Sequence, residues 1–246
     1  KIREMIANGD LGEVYHVYVS FRAHRSIPGL GGAFTTKEIA GGGVLIDWGV
    51  HYLDIVMYCT GDPAPKTVSA KAFSKLGVDM KNYVYEGMWA EDTKDLNGTY
   101  DVDDFVTGFV RTSGPTITFN GAWAQNIGIG EGYIDFLGTK AGIRLTYGGD
   151  FTLWTTACGS LVNCKPKFTP NQHFQEEINS FINCVKTGIG NGTLAVACDH
   201  LMTAGVDLDA AVQIGIQLVL STVSFWHQRA LGLDENGNPV DGGGPA

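Results

Sequence analysis

The chain has 246 residues, 44% hydrophobic and 17% charged, an ordinary composition for one large globular domain or two small ones with a sizeable core. Its net charge of −9, from 17 basic and 26 acidic residues, argues against a nucleic-acid backbone or an anionic membrane surface as partner and leaves small neutral substrates open. The five cysteines, Cys59, Cys158, Cys164, Cys184 and Cys198, form no CxxC pair; free buried thiols in a reducing, cytoplasmic compartment are expected, and no disulfide framework or zinc knuckle.

In chain order, Lys1 to Asn8 put Ile2, Met5 and Ile6 on one face and stop at Gly9, which reads as the tail of a preceding helix. With no signal-peptide pattern at its start, the chain is expected to be a fragment lacking an N-terminal portion. Glu13 to His24 alternate, with Tyr15, Val17, Val19, Phe21 and Ala23 facing one way and His16, Tyr18, Ser20, Arg22 and His24 the other. That predicts a strand with one wet face. Thr35 to Glu38 make a short capped turn, and Gly41, Gly42 and Gly43 precede an apolar helix that runs to Tyr58. Such a triplet permits close approach of another molecule and leaves backbone N–H groups free at a helix N-terminus, or else serves as a plain hinge.

Thr67 to Phe73 predict a second strand, and the acidic stretch Gly77 to Asp104 a peripheral loop or lid. Asp104 to Thr112 and Thr116 to Gln125 form a hairpin around Ser113-Gly114-Pro115; Tyr133 to Leu137, Gly142 to Tyr147 and Phe151 to Thr155 continue an antiparallel meander. Phe174, Ile178, Phe181, Ile182 and Val185 mark an amphipathic helix that begins near Asn171. The apolar run to Leu231 carries Gln213, Gln217 and Ser221, so it predicts a buried helix and no bilayer span. One domain over residues 1–232 and a flexible tail over 233–246 are expected.

Within the helix after the glycines, Asp47, His51 and Asp54 stand at i, i+4 and i+7, a stripe that Tyr58 extends and that is expected to face a cleft. A histidine exchanges protons near neutral pH, so His51 suits removal of a proton from an alcohol while Asp47 orients the ligand or tunes the ring. A buried, purely structural hydrogen-bonded pair fits the same spacing. A metal held by Asp47, His51 and a distant His173 or His200 is a further reading, but no HExxH spacing accompanies it and no metal is expected. No GxSxG elbow is present, and the cluster Gly128 to Gly132 precedes a strand, which is the wrong context for a dinucleotide fingerprint.

The runs GGGVLIDWGVHYLDIV, GDLGEVYHVYVSFR, YDVDDFVTGFVRTSGPTITFNGAWA, GYIDFLGTKAGIRL and HFQEEINSFINCVKTG together resemble the C-terminal domain of the glucose-fructose oxidoreductase / inositol dehydrogenase (Gfo/Idh/MocA) family, in the same order from Lys1 to Gly188. The resemblance implies an α+β fold, an open and mainly antiparallel sheet of about six or more strands with helices on one face, like the C-terminal domain of dihydrodipicolinate reductase. It implies an NAD- or NADP-dependent oxidoreductase of a sugar, cyclitol or related polyol, with the cofactor held mainly by an absent N-terminal Rossmann domain. In that frame His51 is the acid/base and Asp47 the substrate anchor or proton partner. Arg22, Arg25, Lys37, Asp54 and His173 are further candidates for substrate contact, and Gly42 and Gly43 for cofactor contact. A homodimer or homotetramer through the open sheet face is also implied, and the fragment alone is expected to be inactive. A non-catalytic sugar-binding or assembly module, or a glycosidase-like member that uses NAD transiently, are the competing expectations.

Overall fold

The computed structural model describes residues 1–87 and 94–169, with residues 172, 175, 176 and 179 beyond them. The chain divides into two compact units, Lys1–Phe168 and Thr169–Ala246, and the architecture below is that of the first. In the second, Gln175, Glu176 and Asn179 are helical, in line with a helix beginning near Asn171; His173, the long apolar run and the expected boundary at 232 lie outside the described residues.

Eight strands form one sheet: β1 (Val14–Arg22), β2 (Pro65–Phe73), β3 (Phe105–Thr112), β4 (Thr116–Ala122), β5 (Glu131–Gly138), β6 (Ala141–Thr146), β7 (Phe151–Ala157) and β8 (Ser160–Cys164). Their order is β2-β3-β4-β1-β5-β6-β7-β8. Every neighbouring pair is antiparallel except β1 and β4, which run parallel with Val17 opposite Ile117 and Phe21 opposite Gly121. β1 is therefore central, because the helix-bearing segment leaves its end and the hairpin β3–β4 returns to its flank.

Period-two alternation sets the two faces. Val17, Val19 and Phe21 of β1, Ile117 and Phe119 of β4, Ile134 and Phe136 of β5 and Ile143 of β6 are buried on one side. Each contributes on the order of 1.5–3 kcal/mol by leaving water. A register shift between Val14 and His16 breaks the alternation at the start of β1, so Tyr15, expected to point inward, is exposed. On the other face Tyr18, Phe109 and Trp154 are exposed, and His16 bonds the hydroxyls of Thr116 and Thr118 at 2.7 and 3.1 Å.

Against the buried face pack α1 (Ile2–Ala7) and, after the short α2 (Lys37–Ala40), which buries no residue, a π-helical turn (Leu45–Gly49) and the α-helix that continues it, α3 (Val50–Thr60). Gly61, at φ 82°, ends α3 in the left-handed conformation that stops helices. β8 has no counterpart among the expected strands. It follows β7 through the two-residue turn Cys158-Gly159, at φ 50° and 71°, the positive-φ geometry of a tight hairpin. Among the described residues no helix is long and apolar enough to cross a membrane.

Candidate active site

Asp103 builds the entry to the site helix. Its Oδ1 accepts the Gly43 N–H at 2.9 Å, its Oδ2 the Leu45 N–H at 3.1 Å, and its backbone carbonyl the Val44 N–H at 3.0 Å. A Cβ on Gly43 would lie 1.9 Å from that carbonyl oxygen, so only glycine permits the approach. The N–H groups of Gly43 and Leu45 are thus already occupied, which corrects the expectation of free donors at the glycine triplet. Asp104 is fully buried, and its carboxylate takes the N–H groups of Lys75, Leu76 and Gly77 at 2.5 to 3.0 Å. The end of the acidic segment is therefore built into the fold at the helix entry and is not a peripheral loop.

The π-helical turn holds Asp47 and Trp48, and α3 holds His51 and Tyr52. The Trp123 indole Nε1–H, just past β4, donates to Asp47 Oδ2 at 2.9 Å. Burial raises the Asp47 carboxyl above its ordinary range, while the Trp123 bond and the nearby His51 ring each pull it partly back. His51 is exposed.

His51 opens onto a cavity of about 270 Å³. Trp48, His51 and Tyr52 form its helix side, Phe21 to Ala23 its β1 side, and Glu131, Gly132 and Tyr147 close it. Tyr52 stacks on Tyr147 at 4.4 Å between ring centres and tilts against Phe21 at 5.1 Å. A Cβ on Gly132 would lie 2.3 Å from the Tyr52 hydroxyl, so this glycine lets the ring reach β5. Burial raises the Tyr52 phenol well above its ordinary value, and it stays neutral.

Of the expected site residues, the structure brings His51 and Arg22 to the cavity. Asp47 is not part of its wall, although its carboxyl feels the charge of His51. Trp48, His51 and Tyr52, at i, i+3 and i+4, form the helix side of the wall, and Asp47 lies outside it, bonded to Trp123. Asp54 does not line the cavity, and its charge is felt by the Cys59 thiol. Tyr58 lies under the Arg3 guanidinium, 4.3 Å from its ring centre. Arg25 bonds Asn126 and lies 5.4 Å from the Tyr83 ring centre, and the exposed Lys37 gives its backbone N–H to Asp101 at 2.7 Å; neither lines the cavity.

Trp48, Glu131 and the aromatic pair Tyr52 and Tyr147 are among the lining residues that sequence reasoning missed. Glu131 accepts from Arg22 Nη2 and from Ser20 Oγ, the latter at 2.9 Å. The alternation of β1 puts Ser20 and Arg22 on one polar face but does not name their partner, which the β1–β5 register supplies.

This open mixed sheet, backed by helices, makes an α+β domain with a cavity beside a glycine-led helix. The family model described as the GFO/IDH/MocA C-terminal domain matches residues 1–144, and the chain belongs to that family. D-glucoside 3-dehydrogenase of Escherichia coli (strain K12) is 37% identical over 147 residues, 59% of this chain and 40% of the relative. The chain thus spans about two fifths of that relative's length. An aldose-aldose oxidoreductase from Caulobacter crescentus complexed with glycerol is 18% identical at a TM-score of 0.55, covering 89% of this chain and 56% of that one. A levoglucosan dehydrogenase in complex with NADH and levoglucosan is 18% identical at a TM-score of 0.53, covering 69% and 43%. These two likenesses establish the shared fold.

Proposed function

We propose that this chain is the substrate-binding and catalytic half of a nicotinamide-dependent oxidoreductase acting on a hydroxyl of a sugar or related polyol. The observation that carries the reading is the exposed His51 at the rim of a cavity walled by Trp48, Tyr52 and Tyr147 and closed by the Arg22–Glu131 pair. Aromatic faces suit the C–H faces of a sugar ring, and the few convergent polar groups orient its hydroxyls. The relatives' names, a glucoside dehydrogenase and a levoglucosan dehydrogenase with NADH, point the same way.

In this reading the His51 imidazole takes the proton of the hydroxyl being oxidised, since it is open to the cavity. Asp47 acts through position, holding the π-helical turn against Trp123 and lending negative charge to the protonated ring. NAD or NADP, when bound, supplies the hydride acceptor. The cavity volume lies just below the usual range for small-molecule sites, which fits one sugar-sized ring and leaves the dinucleotide to be held by other residues. Gly42 and Gly43, at the entry to the site helix, are the backbone positions of this chain that we assign to contact with the nicotinamide cofactor.

The test is a screen of the full-length protein against sugars and polyols with NAD and NADP, followed by nicotinamide absorbance. Substrate-dependent reduction supports the proposal. Sugar binding without reduction assigns a binding module, and cleavage without net reduction a glycosidase-like member. We further propose that a second copy of the chain covers the open sheet face, where Tyr18, Phe109 and Trp154 are exposed. Light scattering of the full-length protein and its Tyr18→Glu variant tests this, with a monomeric wild type overturning it.

A further inference from the structure

We propose that the cavity selects an uncharged polyol and turns away sugar acids, and that Glu131 sets this selection by neutralising Arg22 and offering a free acceptor oxygen; the inference rests on the sugar-site reading above. Arg22 Nη2 donates to Glu131 Oε1, Arg22 Nε donates to Ser20 Oγ at 3.1 Å, and Ser20 Oγ donates to the same Glu131 Oε1 at 2.9 Å. The two side chains are 33% and 27% exposed and both line the cavity, so the pair is built into the wall and still meets the ligand.

An arginine is charged at every working pH, and its fork matches a carboxylate or phosphate. Alone in this aromatic cavity Arg22 would recruit such an anion. Glu131 already fills that role. Among the described residues Arg22 and Glu131 are the only Arg, Lys, Asp or Glu side chains in the wall, one of each sign. Both bonds converge on Oε1, so among the described residues Oε2 has no protein donor. A sugar hydroxyl carries a proton to give Oε2. A carboxylate carries none and meets repulsion from the like charge.

The decisive measurement is calorimetric titration of the full-length protein with methyl glucoside and methyl glucuronide, which differ by a hydroxymethyl against a carboxylate. Wild type is expected to bind the glucoside about tenfold or more tightly over the glucuronide, the scale of one charge-assisted hydrogen bond. Glu131→Gln frees the guanidinium and is expected to shift that ratio about tenfold toward the glucuronide. Wild type that binds the glucuronide equally or more tightly overturns the inference while leaving the sugar site intact, and needs no variant. An unchanged ratio in a folded Glu131→Gln protein overturns it as well. Binding of neither probe overturns the sugar-site reading, and this inference with it.

Discussion

The indole N–H of Trp123 is bonded to the Asp47 carboxylate at 2.9 Å across 76 residues of chain. This bond fixes the π-helical turn to the end of β4. It also means that Asp47 spends one oxygen on the scaffold, a few residues from the histidine it is expected to assist.

Asp47→Asn keeps an acceptor for Trp123 and removes a desolvated charge. Burial raises the Asp47 carboxyl, so between the ordinary aspartate range and the raised folded value the native state binds more protons than the unfolded one. Stability therefore falls as pH rises through that window, and the whole cost is present above it. Urea midpoints of the full-length protein are expected to fall through this window in wild type relative to the variant. The variant should equal or exceed wild type at neutral pH. Parallel profiles would show that Asp47 carries no such cost.

His51→Ala should lower turnover of the full-length enzyme by about 10²-fold or more with little effect on sugar binding, as loss of a general base does. The readout is kcat set against the calorimetric Kd. An exposed side chain contributes little to stability, so the melting temperature should stay near wild type. Unchanged turnover would return His51 to a bystander at the cavity rim.

Most of the sheet was legible because alternation is a local signal. Val17, Val19 and Phe21 alternate with Tyr18, Ser20 and Arg22 in sequence as they do across the sheet. The parallel pairing of β1 with β4 was not, since it joins segments about 100 residues apart and no local pattern encodes a neighbour. β8 escaped because Ser160 to Cys164 form an exposed edge with no buried face to mark. At the site, His51 was found by its spacing from Asp47, but the wall runs through Trp48 and Tyr52 while the Asp47 carboxylate is bonded to Trp123, a distant partner that no local spacing reveals. Glu131 was invisible for a different reason. A glutamate in a glycine-rich turn earns meaning only when β5 is laid beside β1, opposite Arg22.

Gly43→Ala and Asp103→Ala probe the same junction from two sides. The alanine methyl at 43 would meet backbone, the Asp103 carbonyl oxygen at 1.9 Å, and backbone cannot swing aside as a side chain does. A loss of about 2–4 kcal/mol is expected. Asp103→Ala removes the acceptor of two helix-entry N–H groups and should cost about 1–2 kcal/mol, as loss of a helix cap does. Denaturant unfolding of both variants checks the order. Equal, small losses would mean that the junction relaxes around the added methyl.

The three cysteines among the described residues separate by environment, and their reactivity should follow. Cys59 is buried against the core, and desolvation pushes its thiol up to about 11, an effect that the nearby Asp54 charge reinforces. At pH ~8 its thiolate fraction is then on the order of a thousandth, and access is poor besides. Cys158 and Cys164 flank the β8 hairpin strand and are exposed. Brief iodoacetamide treatment of the native full-length protein, read by peptide mass, should alkylate Cys158 and Cys164 and spare Cys59. Denaturation should then release Cys59 to full labelling. Equal native labelling of all three would mean that α3 opens often enough to expose its buried face, and the cavity wall that rests on that helix would have to be regarded as equally loose.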